Sequence, residues 1–366
     1  MKRVTCLLLT LLLALLTCAA LADVPAVERT MALDYAKNFS VDYCEGGYKL
    51  ITISDGTRFL TVPEGAQAPE NLDADIVPLQ LPLGNLLISS TPTTSLINAI
   101  GALDAVTMTT TDYDTWYIDE VKAAMDEGKL TYIGSYKEPD FERLIAAQPP
   151  FAVFSTMLLS VPDVAEKLTE LGIPYMLDQS TYEDHPLARV EWIKLYGILL
   201  DREEEAEAAY AAQKALVEGI AAKETGKTVA MFYITSKGAL YARNGGDYMA
   251  KMLELASGEY VLSGMNPEES GTQQMEMEEF YAGAGEADYI IYIWSLGGKP
   301  ETLADFIARN EILSEFKAVK EGNVWCTTPD FFQISNTLGD MIVDMNNMLV
   351  NEDESVDSFT YLFKLK

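Results

Sequence analysis

The residues able to do chemistry are few and fall between runs of apolar sequence. The chain has one histidine, His185, in Asp184-His185-Pro186. A zinc site would want several histidine ligands, and no nucleophile stands near it in sequence to make a hydrolytic pair. No G-x-S-x-G elbow, P-loop or G-x-G-x-x-G is present. Catalysis is not expected, nor is a cofactor or protein-held metal. What remains suits binding. Arg243 follows an apolar run and precedes Gly245-Gly246, a good place for a cation facing an anionic ligand. Tyr113-Asp114-Thr115-Trp116-Tyr117 gathers three rings in five residues, and Trp294 closes another apolar run. Rings at loop tips suit a flat, apolar ligand. Arg189 opens a helix and is expected to pair with Glu183 or Glu191. His185 either touches the ligand's metal centre or caps the helix that follows it.

These groups need a scaffold. Of 366 residues, 49% are apolar, enough for two globular domains. From Ile76 apolar strands alternate with helices: strands at 86–89, 105–108, 151–154 and 175–177, helices at 93–103, 115–127, 141–147, 161–171 and 189–200. Beyond residue 226 the rhythm resumes, with strands at 229–234, 260–262, 289–294 and 324–327 and helices at 247–256, 277–284, 303–309 and 336–350. Such alternation implies parallel sheets whose ligands bind at the carboxyl ends of the strands. The expected fold is α/β: two Rossmann-like lobes with parallel sheets joined by one long helix, with a small N-terminal β meander. The joining helix is read as Asp201 to Gly226, with Asp201 as N-cap, Glu204 completing a capping box and Gly226 as the stop. At about 1.5 Å per residue such a helix spans roughly 30 Å. Residues 38–62 read as a meander of two or three strands and 66–75 as a linker.

The division expected is a signal peptide at 1–22, an extension with the meander at 23–75, a first lobe at 76–188, linker helices at 189–226 and a second lobe at 227–366. Lys2 and Arg3 precede an apolar stretch ending in Ala20-Leu21-Ala22, which reads as an export signal cleaved before Asp23. The rival reading is a lipobox, Leu15-Leu16-Thr17-Cys18, with a lipid on Cys18. Thr17 fits that pattern poorly, so free secretion is preferred. Without residues 1–22 the chain holds 24 Lys+Arg against 56 Asp+Glu, a net charge of −32. That excludes nucleic acid, which needs a basic face. Cys44 and Cys326 are expected as buried free thiols.

Several segments resemble one family. Glu142-Arg143-Leu144-Ile145-Ala146-Ala147-Gln148-Pro149, running into Phe151-Ala152-Val153-Phe154, resembles the N-x-E-x-I-x-A-L-x-P-D-L-V-I segment of siderophore- and cobalamin-type substrate-binding proteins of ABC importers. Leu171-Gly172-Ile173-Pro174, Glu191-Trp192-Ile193 with Tyr196-Gly197-Ile198-Leu199-Leu200, and Ala287-Asp288-Tyr289-Ile290-Ile291 follow in that family's order, over roughly residues 76–350. Pro150 departs from the pattern, and residues 38–62 lie outside it. The resemblance implies a monomeric, bilobal clamp, periplasmic or on the cell surface, that carries a ferric siderophore, haem or cobalamin to an ABC permease dimer and its ATPase. It also implies a docking glutamate on each lobe: Glu142 on the first and Glu278 on the second, with Glu276 and Glu279 as alternatives to Glu278. The alternative is an exported sensor or surface-binding module on the same fold without transport.

Overall fold

The computed structural model describes residues 24–220, 225–294, 298–353 and 355–366. The export signal with Cys18, the tail of the joining helix at 221–224 and Ser295 lie outside them. The chain divides into two compact units. One runs up to Ala32 and takes in Phe39–Leu83. The other comprises Leu33–Asn38 and Gly84–Lys366.

The smaller unit is a five-stranded sheet in the order Val27–Thr30, Phe39–Cys44, Lys49–Ile53, Arg58–Val62 and Ile76–Gln80. The first four strands are antiparallel neighbours, and the fifth runs parallel to the fourth. Alternation brings Val41, Ile51, Ile53, Phe59 and Leu79 into its core. Residues 38–62 supply three of these strands, and two more join from outside that stretch. Val27–Thr30 is exposed at every position, so it carries no alternation to read. Ile76–Gln80, expected to open the first lobe, pairs here instead. Arg58 fixes the preceding linker through Asp75 at 2.8 and 2.7 Å and Asp73 at 3.0 Å.

The larger unit holds two α/β lobes. The first lobe's sheet is wholly parallel, in the order Tyr175–Asp178, Ala152–Ser155, Leu86–Ser89, Val106–Thr109 and Thr131–Tyr132. Leu87, Met108, Leu144, Phe154 and Leu168 fill its core. The second lobe's sheet has the parallel strands Thr228–Ile234, Tyr289–Tyr292 and Val324–Thr327 at its centre. Its flanks are antiparallel: Leu240–Arg243 and Thr272–Met275 on one side, Leu362–Lys364 on the other. Phe232, Phe280, Tyr292, Phe306 and Phe316 pack its core, with Phe232 and Phe280 centroids 4.6 Å apart.

The lobes are joined through Pro186–Glu191 and Ile193–Leu200, both buried along their whole length, and then Glu203–Glu218. The expected single helix over 189–200 is divided at Trp192. Asp201 does not cap the long helix. It takes a left-handed φ of 56° and closes the helix before it, while Arg202 stands at the N-cap position without a side-chain cap. The 16 residues of the long helix span about 24 Å. Gly197 makes the tight turn between these helices possible: a Cβ there would lie 2.6 Å from Ala206 Cβ and 2.9 Å from Arg202 O. The long helix also meets the second lobe, where Gln213 Oε1 accepts the Gly339 N–H at 2.9 Å and its Nε2 donates to Asp340 at 2.8 Å.

Candidate ligand cleft between the lobes

The loops at the carboxyl ends of the two sheets meet. Gln333, after Val324–Thr327, accepts the Tyr117 N–H at 2.9 Å and donates to Thr115 O at 2.6 Å. Nearby the Ser335 N–H donates to Ser95 Oγ at 3.0 Å. These bonds bring Tyr117 of one lobe against Trp294 of the other, edge to face, with centroids 6.4 Å apart. Tyr117 is 46% exposed, so its ring remains available at the rim. Met157, following Ala152–Ser155, is also exposed on the first lobe.

The three rings read together from sequence do different things. Trp116 is fully buried, and its indole N–H donates to Thr111 O at 3.2 Å. It anchors the loop from inside and cannot serve as a stacking platform. Tyr113 lies on the surface, with its hydroxyl 3.3 Å from Asp126 and Lys122 over its ring.

Two guanidinium groups are buried. The Arg243 side chain is 10% exposed, 3.7 Å from Asp247 Oδ1, with its Cζ 5.5 Å from the Phe332 ring centre. Its Nε is buried and lacks a hydrogen-bond partner. Asp247 is itself engaged: Oδ1 caps its helix through the Met249 N–H, and Oδ2 accepts the Gly271 N–H. It therefore offers Arg243 a counter-charge without saturating it. Arg189 does not pair with either carboxylate expected for it. It donates to the carbonyls of Glu183 at 3.0 Å and Thr181 at 2.7 Å and lies 3.6 Å over the Tyr248 ring. Burial lowers its pKa, and Arg243 acts in the same direction. Arg189 is thus held by backbone carbonyls and a ring face, whereas Arg243 keeps one buried N–H without a partner.

His185 caps its helix, with Nδ1 accepting the Leu187 N–H at 3.2 Å. It stacks on Tyr35 with centroids 4.1 Å apart and planes 3° from parallel. Burial, and then the Lys251 charge, push its pKa down to about 4, so the ring is neutral near pH 7. Nδ1 is committed to the cap. His185 lines a groove of about 1300 Å³ with Tyr182, Asp247, Lys251 and Glu254. Tyr117, Trp294 and Arg243 are not part of its lining. The residues that sequence reasoning missed are Gln333, which links the lobes, and Tyr35, some 150 positions before the ring it stacks on. A lone glutamine and a lone tyrosine give no pattern to find.

Glu142 and Glu278 are exposed first-turn residues of Phe141–Ala147 and Met277–Ala284. Asp140 caps the first helix, accepting the Arg143 N–H at 3.1 Å. Glu276 and Glu279 are also exposed.

The family described as "Periplasmic binding protein" matches residues 88–331, two thirds of the chain and both lobes. The chain belongs to that family. Its members bind solutes and are not enzymes, and the family's place is outside the cytoplasm. An uncharacterised lipoprotein of Methanocaldococcus jannaschii is 27% identical over 362 residues, covering 89% of this chain and 84% of that protein. Two solved structures share the fold at low identity. A petrobactin-binding protein from Bacillus subtilis has a TM-score of 0.60 at 15% identity, over 83% of this chain and 99% of that one. A periplasmic haem-binding protein from Pseudomonas aeruginosa has a TM-score of 0.58 at 15% identity, over 77% and 97%. Among the described residues, no helix is long and apolar enough to cross a membrane.

Proposed function

We propose that this periplasmic binding protein is the extracytoplasmic component of an ABC importer for a ferric siderophore or a related metal chelate, haem and cobalamin included. It would act as a monomer and deliver its ligand to a permease dimer served by an ATPase. The observation that carries this reading is the aromatic rim that Tyr117 and Trp294 form between the two lobes, with a buried, incompletely bonded guanidinium, Arg243, in the second lobe. Tyr117 and Trp294 offer apolar faces to a chelate, and Arg243 offers charge to its anionic oxygens. The haem- and petrobactin-binding relatives of the fold favour the same class of cargo. The archaeal relative is a lipoprotein, which favours an anchor on Cys18 over cleavage after Ala22. Glu142 and Glu278 are the proposed docking residues, one on each lobe.

The first test is to purify the mature protein from its iron-limited host and identify the bound small molecule by mass spectrometry. A metal chelate supports the reading; a sugar or an amino acid in the cleft overturns it. With that chelate, Arg243→Ala should weaken binding by about 1.5–3 kcal/mol, the range for a hydrogen bond to a charged group. In calorimetry this is roughly a 10- to 150-fold rise in Kd.

A further inference from the structure

The segment Leu33–Asn38 leaves the strand Val27–Thr30 and returns to the strand Phe39–Cys44, yet between them it belongs to the larger unit. Five consecutive backbone N–H groups in it are bound by two buried carboxylates. Glu191, fully buried, accepts from Asp34 at 2.8 Å and from Tyr35 and Ala36 at 2.9 Å each. Glu183, 1% exposed, accepts from Lys37 at 3.0 Å and Asn38 at 2.9 Å. The carboxylates are braced from the other side: Lys194 Nζ lies 3.3 Å from Glu191, and the Trp192 indole donates to Glu183 at 3.1 Å. Asp34 adds a third attachment, accepting from Tyr210 at 3.0 Å and Lys214 at 2.8 Å on the long helix.

These anchors have a common location. Glu183 lies in the crossover leaving the first lobe's last strand. Glu191 is on the first linker helix, and Tyr210 and Lys214 are on Glu203–Glu218. None is on the second lobe. A second set of bonds spans the same joint: the Tyr196 hydroxyl, on a linker helix, donates to Asp178 at the end of that strand, and so does Thr93. Two buried carboxylates holding a row of amides form a costly feature unless the geometry is kept. The segment also lies outside residues 88–331, the stretch matched by the family.

We propose that Leu33–Asn38 is a splint across the crossover Gln179–His185, which makes the first lobe, the linker helices and the long helix one rigid body. Movement between lobes then falls on the second lobe's contacts: Gln213 with Gly339 and Asp340, Arg189 with Tyr248, and Gln333 and Ser335 with the first lobe. This inference goes beyond ligand class and does not depend on it.

Two measurements test it. In the unaltered protein, amide hydrogen exchange at residues 34–38 should be slowed about a thousandfold or more relative to an open chain, as in core elements. Loop-like exchange there overturns the proposal, and this needs no variant to fold. Spin labels at Glu142→Cys and Ala212→Cys then report the first lobe against the long helix; Cys44 and Cys326 are buried. The distance distribution should be narrow, and should at least double in width when Glu191→Ala is added. Asp34→Ala, which leaves both carboxylates in place, should broaden it less. An unchanged width in Glu191→Ala, with amides 34–38 shown to exchange freely, overturns the splint.

Discussion

Glu142→Lys and Glu278→Lys should each abolish uptake of the bound chelate while leaving its affinity near that of the unaltered protein. Both carboxylates are exposed in first helical turns, one per lobe, away from the strand ends where Tyr117 and Trp294 meet. Reversal therefore leaves the cleft intact. If each carboxylate meets a permease cation, reversal sets like charges against each other, costing several kcal/mol at the docking surface. If instead they only complement the helix dipole, the cost is about 0.3–1 kcal/mol of stability and uptake is normal. Transport into vesicles holding the permease and ATPase, beside a ligand titration of each variant, separates these outcomes. Normal uptake by both variants would remove the docking roles.

Trp116→Ala should destabilise the protein by about 3–5 kcal/mol, the range for truncating a large buried aromatic residue. The side chain is fully enclosed, and its loss also frees Thr111 O from the indole N–H. Trp116→Phe should recover most of the stability, because the ring volume matters more than one hydrogen bond. Denaturant unfolding provides the check. A loss below about 1 kcal/mol would contradict the burial of this ring.

That tryptophan shows where sequence reasoning stops. Three aromatic residues in five positions announce a loop with something to pack, but not which ring faces inward. Trp116 turns in and Tyr117 out because the short turn ends at Thr115 and the chain is extended from Trp116, so successive side chains point to opposite sides. The strands Leu86–Ser89 and Val324–Thr327 are legible because burial at every position gives continuous apolar runs, and the helices Phe141–Ala147 and Met277–Ala284 because their few buried residues recur at helical spacing. Thr272–Met275 was not legible, being a polar edge strand with two exposed glutamines. The sequence puts the N-cap of the long helix at Asp201, one residue before the observed N-cap Arg202, because an aspartate can close one helix in a left-handed conformation as well as open the next. The splint was invisible for another reason. Glu183 and Glu191 look like ordinary surface charge until Lys37 and Asp34, about 150 residues upstream, are brought against them.

Binding of a metal chelate between the lobes is directly measurable. The mature protein is titrated with ferric catecholate, ferric hydroxamate and ferric carboxylate chelates, haem and cyanocobalamin, following tryptophan fluorescence, since Trp294 stands at the rim. At least one class should quench saturably at one ligand per protein, with Kd of about 1 μM or tighter, equivalent to roughly −8 kcal/mol. Failure of every class to bind at concentrations a hundredfold higher would contradict the proposed function.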